Sequence, residues 1–319
     1  MRVFALTLLL VLVLPFASAW AAPIAYSVNS DSGDASFADH LYSIDLATGV
    51  ATRIGEVRPL EPIINSDIEG LAIDAGGTLF AADDADETLL IINLGSGQAT
   101  PVNGSTFNLQ LSQANYDFGL TFTCQGDLLM VADQPRSLFD VDDTAGQSVI
   151  VGVDGGLAAP ITGIAAFGNL VYGIGQGSDD GVNPLAPNLY QIDPAAGTTS
   201  LIGPLGNTVA TYLDAGLAFD SNGGLWAITD RRNVAGGDFP SQVLSINTVT
   251  GEASVISEIP TTDGAVGFES LAISAPGGCS PDNTFGVNPE GVPTLDQWAL
   301  LLLVLLLSGL AYGSLRQHA

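Results

Sequence analysis

The sequence predicts an all-β fold, a five-bladed β-propeller. Three observations carry that expectation. A nine-residue pattern ending in glycine occurs five times, and a Gly-Leu-Ala pattern interleaves with it. Together they place four short strands in each unit of about 50 residues, the layout of a propeller blade.

The first pattern is Leu41-Tyr42-Ser43-Ile44-Asp45-Leu46-Ala47-Thr48-Gly49. It returns at 89–97, 138–146, 189–197 and 243–251, and its closing glycines are spaced by 48, 49, 51 and 54 residues. Alternating apolar and polar residues suit a half-buried strand. The Asp or Asn that follows bonds the next backbone amides and starts a turn. The glycine ends that turn with a positive φ, and a second strand follows, so each copy reads as a hairpin.

The second pattern begins at Gly70-Leu71-Ala72-Ile73. It recurs as Gly119-Leu120-Thr121-Phe122, Gly163-Ile164-Ala165-Ala166, Gly216-Leu217-Ala218-Phe219 and Ser270-Leu271-Ala272-Ile273. Small and apolar residues mark these as tightly packed inner strands. The first four copies each lead into another strand, at 78–83, 127–133, 169–176 and 224–230. The N-terminal hairpin set, 24–57, has no inner strand before it, and the last inner strand, 268–274, has no blade after it. The C-terminal strand therefore completes the N-terminal blade and closes the ring. Closure hides edges that the alternatives, a β-sandwich or an open repeat array, would have to manage differently.

The ends read differently. Residues 1–21 have a positive Arg2, an apolar run from Phe4 to Phe16 and small residues at Ala17-Ser18-Ala19, the layout of a signal peptide. The propeller spans 22–274, and 275–291, rich in Pro, Gly, Ser, Asn and Asp, is a linker. The tail, 292–319, contains an uncharged apolar stretch at 299–315, long enough for a membrane-spanning helix. The chain carries 34 acidic residues against 7 basic ones, no lysine, and a formal charge of −27. Such a field excludes nucleic-acid and anionic-lipid partners and suits an extracellular surface, a salty habitat or cation binding. The two cysteines, Cys124 and Cys279, each follow an inner strand, and an oxidising compartment permits a disulfide between them.

The tail opens with Val292-Pro293-Thr294-Leu295, and Trp298 precedes the apolar stretch, which Arg316 closes. This resembles the IPTL-CTERM sorting signal, with valine in place of the usual isoleucine, alanine where glycine often follows the tryptophan, and a sparse basic end. The resemblance implies export in a Gram-negative bacterium, a membrane intermediate, processing by an exosortase-type protease, and delivery to the cell surface or extracellular matrix.

Catalytic motifs are sparse. His40 and His318 are the two histidines, so no histidine-rich metal site or Ser/His/Asp arrangement can be built. Carboxylates remain. Glu69 and Glu269 immediately precede inner strands, and Asp117 and Asp214 lie one residue further back. These four are the candidate metal ligands, with Ca2+ the cation that suits hard oxygen donors. Loops at the same face add Asp31, Asp34, Asp83, Asp84, Asp86, Asp133, Asp179, Asp180 and Asp230. Asp45, Asp142 and Asp193 belong to hairpin turns at the opposite face and are structural. Two functions follow: a non-catalytic binding module at the cell surface, or a hydrolase. The segment Ile68-Glu69-Gly70-Leu71-Ala72 resembles segments of calcium-dependent propeller hydrolases, the lactonases and phosphotriesterases, and the second function is what that resemblance implies.

Overall fold

A computed structural model describes residues 23–29, 39–58, 67–111, 117–178, 181–183, 185, 187–262 and 265–279. The predicted signal peptide and the apolar stretch 299–315 lie outside them, as do Asp31, Asp34, Asp179 and Asp180. The described chain is all-β, with one short 3-10 turn at Val102–Gly104.

The strands form five antiparallel sheets arranged as five blades. Blade one holds β1 (Ile24–Val28), β2 (His40–Asp45) and β3 (Val50–Glu56). Blade two holds β4 (Ile68–Ile73), β5 (Leu79–Asp83), β6 (Thr88–Ile92) and β7 (Ala99–Pro101). Blade three holds β8 (Phe118–Phe122), β9 (Leu128–Ala132), β10 (Ser137–Val141) and β11 (Ser148–Val151). Blade four holds β12 (Ile161–Phe167), β13 (Leu170–Gly175), β14 (Asn188–Asp193) and β15 (Thr198–Pro204). Blade five holds β16 (Ala215–Phe219), β17 (Leu225–Thr229), β18 (Ser241–Ile246) and β19 (Ala253–Ile259).

The repeated turn forms as its sequence dictates. The Oδ1 atoms of Asp45, Asn93, Asp142, Asp193 and Asn247 each accept amides two or three residues on. The closing glycines have φ between 64° and 81°. They serve a second purpose. A Cβ on Gly49 would lie 2.1 Å from the carbonyl oxygen of Glu258, and one on Gly197 would lie 2.1 Å from that of Val151. Each turn thus seats its glycine against the preceding blade, and Gly49 of blade one seats on blade five.

Burial follows the same geometry. The five apolar clusters correspond to the five contacts between neighbouring blades. Phe80 and Phe122 stack edge-on between blades two and three, with centroids 5.2 Å apart. Facing apolar sheet surfaces are what a half-buried strand pattern supplies.

The ring closes through the C-terminal segment. Ala272 and Tyr26 exchange backbone bonds of 2.7 and 2.9 Å, so 268–273 runs antiparallel to β1 as its inner neighbour. Ser27 Oγ donates to the Ser270 carbonyl, and the Val28 amide donates to Ser270 Oγ. The ring of Phe268 meets that of Tyr42 edge-on at 5.2 Å. Beyond this strand, Gly168 N–H donates to the Gly277 carbonyl over 2.9 Å, and Cys279 is joined to Cys124 by a disulfide with a Cα–Cα separation of 5.2 Å.

Inner strands approach so closely that little space remains on the axis. A Cβ on Gly163 would lie 2.3 Å from the carbonyl oxygen of Ala215 in the next inner strand. Two voids of about 10 and 30 Å3 lie between the inner strands. They are close to the size of a single water.

Gly163→Ala is expected to destabilise the fold by more than about 2 kcal/mol, because backbone lines both sides of the gap. Val249→Ala, at an 83% exposed position, is expected to change stability by less than about 0.5 kcal/mol. Urea denaturation of the two variants checks both values.

Candidate metal centre

The N-terminal ends of the inner strands bring carboxylates to the axis. Glu69 sits in β4 at a break in register, where Ile68 pairs with Asp83 and Gly70 with Ala82. The extra residue of such a bulge re-aims its side chain, and Glu69 lines the small axial void together with Glu269. Glu269 occupies the matching position in the closing segment of the neighbouring blade. Asp67 completes a triad: one oxygen each from Asp67, Glu69 and Glu269 lie within 4.8 Å of one another. Oxygens bound to one Ca2+ at about 2.3–2.6 Å have this spacing.

Of the four sequence-predicted ligands, Glu69 and Glu269 therefore meet. Asp117 and Asp214 stand outside that triad and lie close enough to each other to influence one another's protonation. Asp67 was not among the predicted ligands. It lies just before β4, and the bulge at Glu69 interrupts the alternation that would otherwise relate the two residues.

Three loop acids have structural duties. Asp83 Oδ1 accepts the amides of Asp67 and Ala85 at 3.2 and 3.1 Å. Asp133 Oδ1 accepts those of Asp117 and Gln134 at 3.2 and 2.6 Å. Asp230 Oδ1 accepts Arg232 N–H at 2.7 Å. Each pins the start of an inner strand or its own loop, fixing the backbone that carries the axial carboxylates.

Burial and mutual repulsion shift the protonation of these acids. Glu69 and Asp214 are 5% and 8% exposed. Burial raises the pKa of Glu69 well above normal, and the charges of Glu269, Asp117, Asp67 and Asp84 add to it. Burial, then Asp117 and Asp230, does the same to Asp214. Burial pushes Asp117, Asp83 and Asp230 to about 7 and Asp84 to about 8. Oδ1 of Asp67 and Oδ1 of Asp214 are buried with no hydrogen-bond partner among the described residues. Orphaned buried oxygens of this kind are costly. Arg232 feels the charges of Glu269 and Asp238, while burial lowers its own pKa.

Residues 291–317 match the IPTL-CTERM motif, a span that holds Val292, Pro293, Thr294, Leu295 and Trp298. The motif indicates a secreted protein with a C-terminal sorting signal and implies processing by an exosortase-type enzyme. Among the described residues no helix is long and apolar enough to cross a membrane. No curated protein matches the chain significantly. Among solved structures, a chain from a nidogen/laminin complex is similar at 12% identity and TM-score 0.47, over 80% of this chain and 99% of that one. A Bacteroides caccae protein of unknown function is similar at 12% identity and TM-score 0.46, over 78% and 98%. The virginiamycin B lyase of Staphylococcus aureus is similar at 16% identity and TM-score 0.40, over 73% and 69%.

Raised carboxyl pKa values set the sign of the pH response. The folded state holds protons that the unfolded state has released, so this contribution to stability is lost as pH rises from about 4 to about 8. In chelator, the melting temperature is expected to fall across that window. Asp214→Asn removes one of these raised carboxyls and is expected to raise the melting temperature more at pH 8 than at pH 5. Thermal melts at the two pH values check this.

Proposed function

We propose that the protein is an exported, surface- or matrix-directed propeller that holds Ca2+ at Asp67, Glu69 and Glu269 and works as a binding module. The convergence of those three carboxylates carries the reading. Their burial and mutual repulsion support it, because a divalent cation would add positive charge beside that of Arg232. The donor chemistry favours Ca2+: the triad offers oxygen alone, with no imidazole or thiolate to select zinc or copper.

Ca2+ takes six to eight oxygens. Three carboxylates, even with some bidentate, leave positions for water or for an oxygen of a partner. That open side is the proposed point of contact.

The address forms the second half of the proposal. Residues 1–21 act as a signal peptide, and 299–315 as a transient membrane helix until an exosortase-type protease processes the tail. The IPTL-CTERM match supports this. So does the Cys124–Cys279 disulfide, which suits an oxidising compartment.

Calorimetry on the full chain at pH 7.5 is expected to give one Ca2+ site, and chelator is expected to lower the melting temperature. Glu69→Gln is expected to weaken binding at least about tenfold, as loss of a charged ligand should. Affinity is expected to rise with pH, since the ligands must lose protons to bind. No heat of binding and no melting shift would remove the cation from the account. For the address, replacing Pro293, Thr294 and Leu295 together is expected to leave the protein unprocessed and larger on a denaturing gel.

A further inference from the structure

The triad has an uneven origin. Asp67 and Glu69 belong to blade two, whereas Glu269 belongs to the C-terminal segment that completes blade one. A cation held by all three therefore ties that segment to the body of the ring. The segment is fastened again farther along, where the chain after it reaches Cys124 of blade three through the disulfide. The two fastenings lie at opposite ends of the closing strand.

Between them, closure is thin. The other inner strands, β4, β8, β12 and β16, pair with their neighbours over five or six residues each. The closing strand has one bridged pair, Tyr26 with Ala272, plus the bonds of Ser27 and Val28 to Ser270. At its N-terminal end Glu269 faces Asp67 and Glu69 of blade two, with one oxygen from each within 4.8 Å of the others. A cation bound there would add a bond between the closing segment and blade two.

Accepting the Ca2+ reading above, we propose that cation and disulfide are two latches of ring closure that set only after export. The cytosol is reducing and poor in free calcium, so neither latch sets there and the chain stays easier to unfold for transport. Outside, calcium fills the triad. The two cysteine thiols give up two protons and two electrons to a dithiol-disulfide oxidant of the exported compartment, which is reduced to its dithiol as the S–S bond forms. The ring is then fastened at both ends of the strand, upstream of the tail that the sorting enzyme handles. Pulling or cutting at 292–319 acts on Cys279 and blade three before it reaches the closing strand.

Hydrogen–deuterium exchange on the full chain tests this, with calcium or chelator and with the disulfide intact, reduced after folding, or removed by Cys124→Ser with Cys279→Ser. Peptides spanning 24–28 and 265–273 report on closure, and 161–175 in blade four is the internal control. Removing calcium is expected to speed exchange in the closure peptides at least about tenfold more than in the control, the mark of local opening. Losing both latches is expected to exceed losing either. Calcium that binds in calorimetry yet slows exchange equally in all five blades, or nowhere, would overturn the latch and leave the cation site standing. Absence of any calcium heat would overturn both. Reduction of the wild-type protein supplies the second arm if the double cysteine variant does not fold.

Discussion

The structure depends on close backbone contact between neighbouring blades. Where a turn glycine such as Gly49 or Gly197 meets the preceding blade, and where an inner glycine such as Gly163 meets the next inner strand, carbonyl oxygens occupy the space a side chain would need. These contacts set how near the blades approach. That spacing allows five separate apolar clusters to form, one at each blade contact. It also narrows the axis to voids of water size. A charged residue at the start of an inner strand has little choice but to face its counterparts.

The carboxylate centre is a consequence of that packing. Glu69-Gly70-Leu71-Ala72-Ile73 and Glu269-Ser270-Leu271-Ala272-Ile273 are the same segment in adjacent blades. Ring closure makes them neighbours, and the bulge at Glu69 turns its carboxylate to the axis. Asp67, just before β4, supplies the third carboxylate. Asp83, Asp133 and Asp230 each give one oxygen, Oδ1, to backbone amides and so brace the scaffold. The division of labour among these acids comes from their hydrogen bonds, since their side chains are chemically alike.

Much of the fold was legible in the sequence because its signals are local. An Asx turn closed by glycine needs nine residues, and five copies at near-constant spacing leave few architectures. The incomplete first and last units pointed to closure, and Ala272 does bridge Tyr26. The centre was less legible because it depends on distance across the ring. Glu69 and Glu269 stood out by position. Asp117 and Asp214 looked equivalent to them, yet they precede their glycines by two residues, not one, and they meet each other. Asp67 lies before the repeated motif, where no local pattern marks it. No local pattern tells which of these carboxylates converge across the ring.

The most direct test is an anomalous-scattering map from crystals of the protein grown with calcium. The account predicts one ion on the propeller axis, with oxygens of Asp67, Glu69 and Glu269 at about 2.3–2.6 Å. An empty axis, or an ion held instead by Asp117 and Asp214, would contradict it.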